Sequence, residues 1–218
     1  RYSDLYALDA EGDDVPARMH VEDGRIVLEV DDRHARYPLV VDPLVSTQEA
    51  RLAPSDLANT GRFGASVAAM TTSVQGTWAV VGAPYDDRAA SNAGAAYVYR
   101  RNGADDGWDL IARVQASDAE ANAHFGAAVA VGAISSTQVR VLVGAPDRAA
   151  GGKVYAFTYT SATLALTTSS FVAPTPVAGD EYGAALSFNY VVGATAFAVG
   201  APGADTDRGS VFVYRNNA

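Results

Sequence analysis

Five aspartates stand just behind three copies of one triplet, Gly-Ala-Pro, at Gly82-Ala83-Pro84, Gly144-Ala145-Pro146 and Gly200-Ala201-Pro202. They are Asp86, Asp87, Asp147, Asp205 and Asp207. Carboxylates converging from loops can hold calcium or face a basic partner, because hard cations and ammonium groups both seek oxygen. In turns, the same side chains hydrogen-bond nearby backbone amides, which is their commoner use. Asp56 and Asp118 form a second set, each eight residues before a Phe-Gly pair. Their repetition points to a role in the fold, accepting amide hydrogen bonds in a loop, since a reaction rarely needs one group twice. The three histidines, His20, His34 and His124, include no pair at metal-ligand spacing. No G-x-S-x-G elbow, P-loop or H-E-x-x-H occurs, so no catalytic residue is assigned, although two of the 25 acids could in principle form a glycosidase pair. Among aromatic residues, Tyr85 and Trp108 are the candidates for stacking on a sugar or a protein, since recognition is usually carried by loops, while Trp78 leads into a triplet and reads as core.

Composition narrows the partners. The 218 residues carry 16 Lys+Arg against 25 Asp+Glu, a formal charge of −9, with no basic cluster to bind phosphates, so nucleic acid is not expected. An apolar share of 49% with 19% charged residues describes a globular chain rather than a disordered one. No apolar stretch has the length of a membrane span, so membrane insertion is not expected. The absence of cysteine excludes disulfides and thiolate zinc sites.

The elements that must position these residues are strands. Three stretches repeat: FGASVAAM from Phe63, FGAAVAVG from Phe125 and YGAALSFN from Tyr182, each followed by an apolar run into Gly-Ala-Pro and then by a strand such as Tyr97-Val98-Tyr99. Gly64, Gly126 and Gly183 are spaced 62 and 57 apart, and Gly82, Gly144 and Gly200 are spaced 62 and 56, so the unit is a true internal repeat. Period-two alternation puts rings on one face and valines on the other. Proline ends the strand by removing an amide donor, and the glycine lets a neighbouring backbone approach. A further strand, Trp108–Val114 in the first unit and about Leu164–Val172 in the second, makes each unit four antiparallel strands; no helix is expected. The third unit stops after its third strand, and Ser46–Asp56 aligns with a fourth-type strand ahead of the first. Upstream, Met19–Val21 and Arg25–Val30 flank the turn Glu22-Asp23-Gly24 as a hairpin with Ile26, Leu28 and Val30 on one face, and Ala35–Val41 reads as a strand in which Pro38 marks an edge position or a bulge. The expected division is a β-rich segment over 1–45, the end of an upstream β domain, and blades over 46–218, with repeats near 46–107, 108–171 and 172–218.

These repeats resemble the FG-GAP repeats of integrin α-subunits and of many bacterial exported proteins, over Gln48 to Arg215. The paired APSDLANTGRFG and QASDAEANAHFG segments are closest to the bacterial variant. The resemblance implies an all-β fold of four-stranded propeller blades, here a partial propeller, used for adhesion or protein contact in a secreted or cell-surface protein. It also assigns a structural role to Phe63, Gly64, Gly82, Ala83, Pro84, Phe125, Gly126, Gly144, Ala145, Pro146, Tyr182, Gly183, Gly200, Ala201 and Pro202. One departure has a consequence for metal binding. The loops TTSVQGT, AISSTQV and NYVVGAT stand where the integrin type has its Asp-rich calcium site, and they contain no carboxylate. No metal ligand or cofactor is therefore carried over, and calcium is expected neither there nor as a folding requirement, with a weak site at the Asp86/Asp87 type of loop the alternative. The expectation for function is a non-catalytic module binding a protein or glycan through Tyr85, Asp86, Asp87, Trp108, Asp147, Asp205 and Asp207, with a carbohydrate-active propeller or a structural spacer as alternatives. Because three blades fall short of the four to eight of closed propellers, further blades are expected from a longer chain or from another subunit.

Overall fold

The computed structural model describes residues 2–45, 50–54, 61–103, 107–191 and 194–217. It divides into two compact units, Arg1–Arg51 and Leu52–Ala218.

In the first unit, β1 (Tyr2–Leu8) pairs antiparallel with β4 (Val40–Val45), and β2 (Ala17–Glu22) pairs with β3 (Arg25–Val30). Asp23 and Gly24 join the hairpin with φ of 48° and 74°, the double left-handed turn that matches the twist of two strands. Ile26 and Leu28 are exposed, so the face they share is not a core face. The strand read over Ala35–Val41 starts instead at Val40, since a bend occupies Tyr37 and Pro38, and it runs through Pro43 opposite Leu5.

Among the described residues, the second unit holds three sheets. The first is β5 (Ser66–Thr72), β6 (Gly76–Ala83), β7 (Ala95–Arg101) and β8 (Trp108–Val114), hydrogen-bonded in that order. The second is β9 (Ala128–Ala133), β10 (Gln138–Ala145), β11 (Lys153–Thr160) and β12 (Leu166–Phe171), in the same order. The third is β13 (Ala185–Val191), β14 (Ala194–Ala201) and β15 (Ser210–Asn217). The strands within each of these sheets pair antiparallel, and the fold is all-β with repeated propeller-type blades. Because β8 is bonded to β7, a repeat boundary at residue 108 divides one sheet; the structural unit ends with Val114. Of the strand aligned over Ser46–Asp56, residues 50–54 are not strand and the others, Asp56 included, lie outside the described residues. A single turn, α1 (Ala204–Asp207), follows the third triplet, with Asp205 and Thr206 in left-handed conformation rather than in a helix.

Packing follows the alternation. Val80, Val98 and Trp78 of the first sheet face Val129, Val141, Val143 and Tyr155 of the second across one buried cluster. On its other face the second sheet sends Leu142, Val154 and Ala156 against Val199, Phe197 and Phe212 of the third. Burying each such side chain contributes roughly 1.5–3 kcal/mol, so the apolar faces between sheets dominate the stability of this unit.

The repeated glycines act at these junctions. Within a blade, the amides of Gly64, Gly126 and Gly183 donate to the carbonyls of Gly82, Gly144 and Gly200 at 3.0, 2.9 and 3.0 Å. Between blades, a Cβ on Gly82 would lie 2.0 Å from the Gly126 carbonyl oxygen, and one on Gly144 would lie 2.0 Å from that of Gly183. Gly82 and Gly144 thus admit the Phe/Tyr-Gly turn of the following blade. The aromatic ring ahead of that turn packs on the third strand of its own blade: Phe63 on Tyr97, Phe125 on Tyr155 and Tyr182 on Phe212, each at 5.3 Å between centroids and edge-on.

Candidate binding surface

The triplet ends of the blades gather most of the polar groups singled out in the sequence, but they sort into buried and exposed sets. Asp86 is buried, only 1% exposed, and is the hub of an ion-pair network. Its carboxylate accepts from the Arg88 amide at 3.0 Å, from Arg88 Nη2 at 2.9 Å and from Arg113 Nη2 at 2.8 Å. Tyr97 Oη lies against both Asp86 and the Arg88 guanidinium. Burial alone pushes the Asp86 carboxyl upward, but the hydrogen bonds from Arg88 and Arg113 outweigh it and hold the carboxyl at about 2. Such a group cannot greet a partner, so the expectation that Asp86 binds a ligand is corrected: it ties the 84–94 loop to β8 and β7.

Asp118 behaves in a related way. It accepts from Tyr155 Oη at 2.6 Å, Lys153 Nζ at 2.9 Å and Arg148 Nη2 at 3.2 Å, so it joins the first blade's trailing segment to the second blade. Its partners are side chains rather than the backbone amides expected for it. The hydrogen bond from Tyr155 and the neighbouring cations hold its carboxyl at about 2. Burial, with the bond to Asp118, raises the Tyr155 phenol well above the ordinary tyrosine range.

The other residues remain at the surface. Asp87 is exposed and accepts from the Asn92 amide at 2.7 Å, closing the loop on itself. Asp205 and Asp207 are exposed in the left-handed turn, with Asp205 accepting from Ser210 Oγ at 2.9 Å. Trp108 is half-buried at the start of β8, beside Tyr97 and Tyr99 and away from the triplet loops. Trp78 is fully buried and donates from Nε1 to the Gln75 carbonyl at 3.0 Å.

Tyr85 and Asp147 are brought together by a residue not assigned to the site. His124, just before Phe125, stacks on Tyr85 at 4.6 Å between centroids and bonds through Nδ1 to Asp147. Arg62, just before Phe63, lies over the ring of the same tyrosine at 4.2 Å from its centroid. The result is a row across two blades: Arg62, Tyr85, His124, Asp147. Arg62 and His124 occupy the same repeat position, each with left-handed φ near 50°, and Tyr85 and Asp147 share another, directly after the proline. That correspondence of offsets was the available signal for the row. It offers a cation, a ring, an imidazole and a carboxylate on loops fixed by the glycine junctions, which is the chemistry of a contact surface. Among the described residues no group of three His, Cys, Asp or Glu is placed to hold a metal.

The repeated turn, triplet and aromatic strand of the first blade have a counterpart among known protein families. Residues 46–99 match the family model of the FG-GAP repeat. The second and third sheets carry the same Phe/Tyr-Gly turns and Gly-Ala-Pro triplets, so the FG-GAP pattern recurs structurally through β15. The chain matches none of the curated proteins compared with it. No helix among the described residues is long and apolar enough to cross a membrane.

Proposed function

We propose that this chain is a non-catalytic binding or adhesion module of a secreted or cell-surface protein, contacting a protein or glycan through the triplet ends of its FG-GAP blades. The observation that carries this reading is the row Arg62, Tyr85, His124 and Asp147, a chemically mixed surface held on loops from two blades. Rigid presentation lowers the ordering cost of binding, and an aromatic ring flanked by charges supplies both an apolar anchor and direction. The FG-GAP repeat match over residues 46–99 is compatible with the same reading.

A carbohydrate ligand has one observation in its favour. A cleft of about 250 Å³ beside the first two blades is lined by Gln115, Ser117, Thr168, Ser169 and Ser170 over Tyr155, a hydroxyl-rich wall suited to sugar hydroxyls. The test is to present the chain with panels of surface proteins and glycans, measuring binding by interferometry and product by mass spectrometry. Saturable binding without product is the expected result; turnover of any glycan, or no partner in either panel, would overturn the reading.

A further inference from the structure

The first two blades differ at one register of their fourth strands, and the difference leaves a cleft in the second. In each blade the aromatic pair of the third strand stands opposite two residues of the fourth. Tyr97 and Tyr99 face Arg113 and Leu110 in the first blade, while Tyr155 and Phe157 face Ser170 and Thr168 in the second. The equivalence is fixed by the ring ahead of each turn, since Phe63 packs on Tyr97 and Tyr99 as Phe125 packs on Tyr155 and Phe157. Arg113 spans from its strand to the Asp86 carboxylate at 2.8 Å. Serine and threonine at the same register are too short to bridge in this way, and a cleft of about 250 Å³ remains between β12 and the residues that follow β8.

The wall of this cleft is uncharged and rich in hydroxyls. Ser117, Thr168, Ser169 and Ser170 line it with Gln115, over the rings of Tyr155 and Phe157. Among the described residues none of these four hydroxyls bonds to another protein group, whereas Ser66, Ser210 and the Thr71–Thr77 pair in the same unit all do. Gln115 accepts through Oε1 from Arg113 Nη1 at 2.7 Å, and its Nε2 has no protein partner among the described residues. The one ionisable group of the lining, the Tyr155 phenol, donates to Asp118 at 2.6 Å. Lys153 and Arg148 are tied to that same carboxylate. A hydroxyl both donates and accepts, so the wall matches a ligand whose own groups do both, while a charged ligand finds no counter-charge in the lining.

We infer that this cleft is a subsite for one neutral pyranose ring, the terminal unit of a glycan. Such a ring carries several hydroxyls that donate and accept around a compact body, the complement of four free hydroxyls and an amide donor. Size agrees, since clefts for drug-sized ligands run from about 300 to 1,000 Å³ and this one, at about 250 Å³, suits a single ring. The inference rests on the carbohydrate reading given above and adds to it the location, the single-unit size and the preference for uncharged sugars. It uses none of the residues of the Tyr85 row.

The test is an NMR titration of the isotope-labelled chain with methyl glycosides of glucose, galactose, mannose and N-acetylglucosamine, with methyl glucuronide as the charged comparison. About a dozen heavy atoms in an open cleft give a Kd on the order of 1 mM, so the series runs to about 20 mM. Saturable amide shifts centred on Gln115, Ser117, Thr168, Ser169 and Ser170 are expected for at least one neutral glycoside, with weaker binding of the glucuronide. Two variants place in the cleft the residues that the first blade carries at that register, Ser170→Arg and Thr168→Leu. Both positions are exposed, circular dichroism checks that each variant folds, and the milder Thr168→Leu stands alone if the arginine is not tolerated. Each is expected to weaken binding at least about tenfold by occupying the space of the ring. Binding that survives the filled cleft, or a glucuronide that binds as tightly as the neutral sugars, overturns the inference. Shifts that gather instead at Tyr85 and His124 overturn it while leaving the carbohydrate reading standing, and no shift with any glycoside overturns both.

Discussion

Truncating Phe125 tests the blade architecture at its most buried ring. Phe125 is fully buried and packs edge-on against Tyr155 at 5.3 Å and Phe157 at 6.0 Å. Phe125→Ala removes the ring from a site walled by two rigid aromatics and the first blade, so the cavity has little means of collapsing. Burial loss and cavity together are worth about 3–5 kcal/mol. Phe63→Ala is the internal control: Phe63 makes the equivalent contacts with Tyr97 and Tyr99 but is only partly buried, so a smaller loss of about 2 kcal/mol is expected. Urea unfolding followed by tryptophan fluorescence suits the comparison, because Trp78 and Trp108 both lie in the first blade and report the second unit alone. A loss below about 1 kcal/mol for Phe125→Ala would refute the reasoning, since it would mean that the ring is not enclosed between blades.

Acid should unfold the second unit in a definite window. The Asp86 carboxyl is held at about 2 in the folded chain, below its ordinary 3.8, so its contribution is fully present above pH 4 and is lost as pH falls toward 2; the depression corresponds to about 2 kcal/mol, and Asp86→Asn should flatten the acid limb of a stability-against-pH curve. Gly144→Ala is expected to cost about 3 kcal/mol by chemical denaturation, because its Cβ would meet the Gly183 carbonyl oxygen at 2.0 Å, whereas a mild effect would mean that the junction is loose. Chelation with EDTA should leave the melting temperature unchanged, given three β-hairpin loops whose sequences hold no carboxylate; a drop of many degrees would reveal a metal site at the post-triplet loops.

Much of the fold was legible because the repeat fixes it several times over. The Phe/Tyr-Gly turns, the prolines that stop β6, β10 and β14, and the period-two aromatics of β7 each recur at matched offsets, and each is a local signal that survives in sequence. What was not legible depends on residues distant along the chain. Asp86 reads as an ordinary turn aspartate until Arg113, on another strand, is folded back over it. Asp118 likewise meets Tyr155 and Lys153 only when the second blade docks. Arg62 and His124 escaped notice because a guanidinium and an imidazole at one repeat position share no single chemical signature, while the loop register sets both against Tyr85. In the first unit, Ala35–Val41 read as a strand with Pro38 inside it, but the pairing with β1 begins only at Val40.

The central claim, that the loop row across the first two blades carries binding, is tested most directly by probing one array of surface proteins and glycans with the native chain and with Tyr85→Ser. Tyr85 contacts both Arg62 and His124, so losing its ring removes the anchor from the row without touching the buried Asp86 network. The account predicts saturable binding by the native chain that falls at least about tenfold in the variant, as for an aromatic anchor at a contact centre, with the melting temperature unchanged. Undiminished binding by Tyr85→Ser would contradict it and move the contact surface away from the triplet ends of the blades.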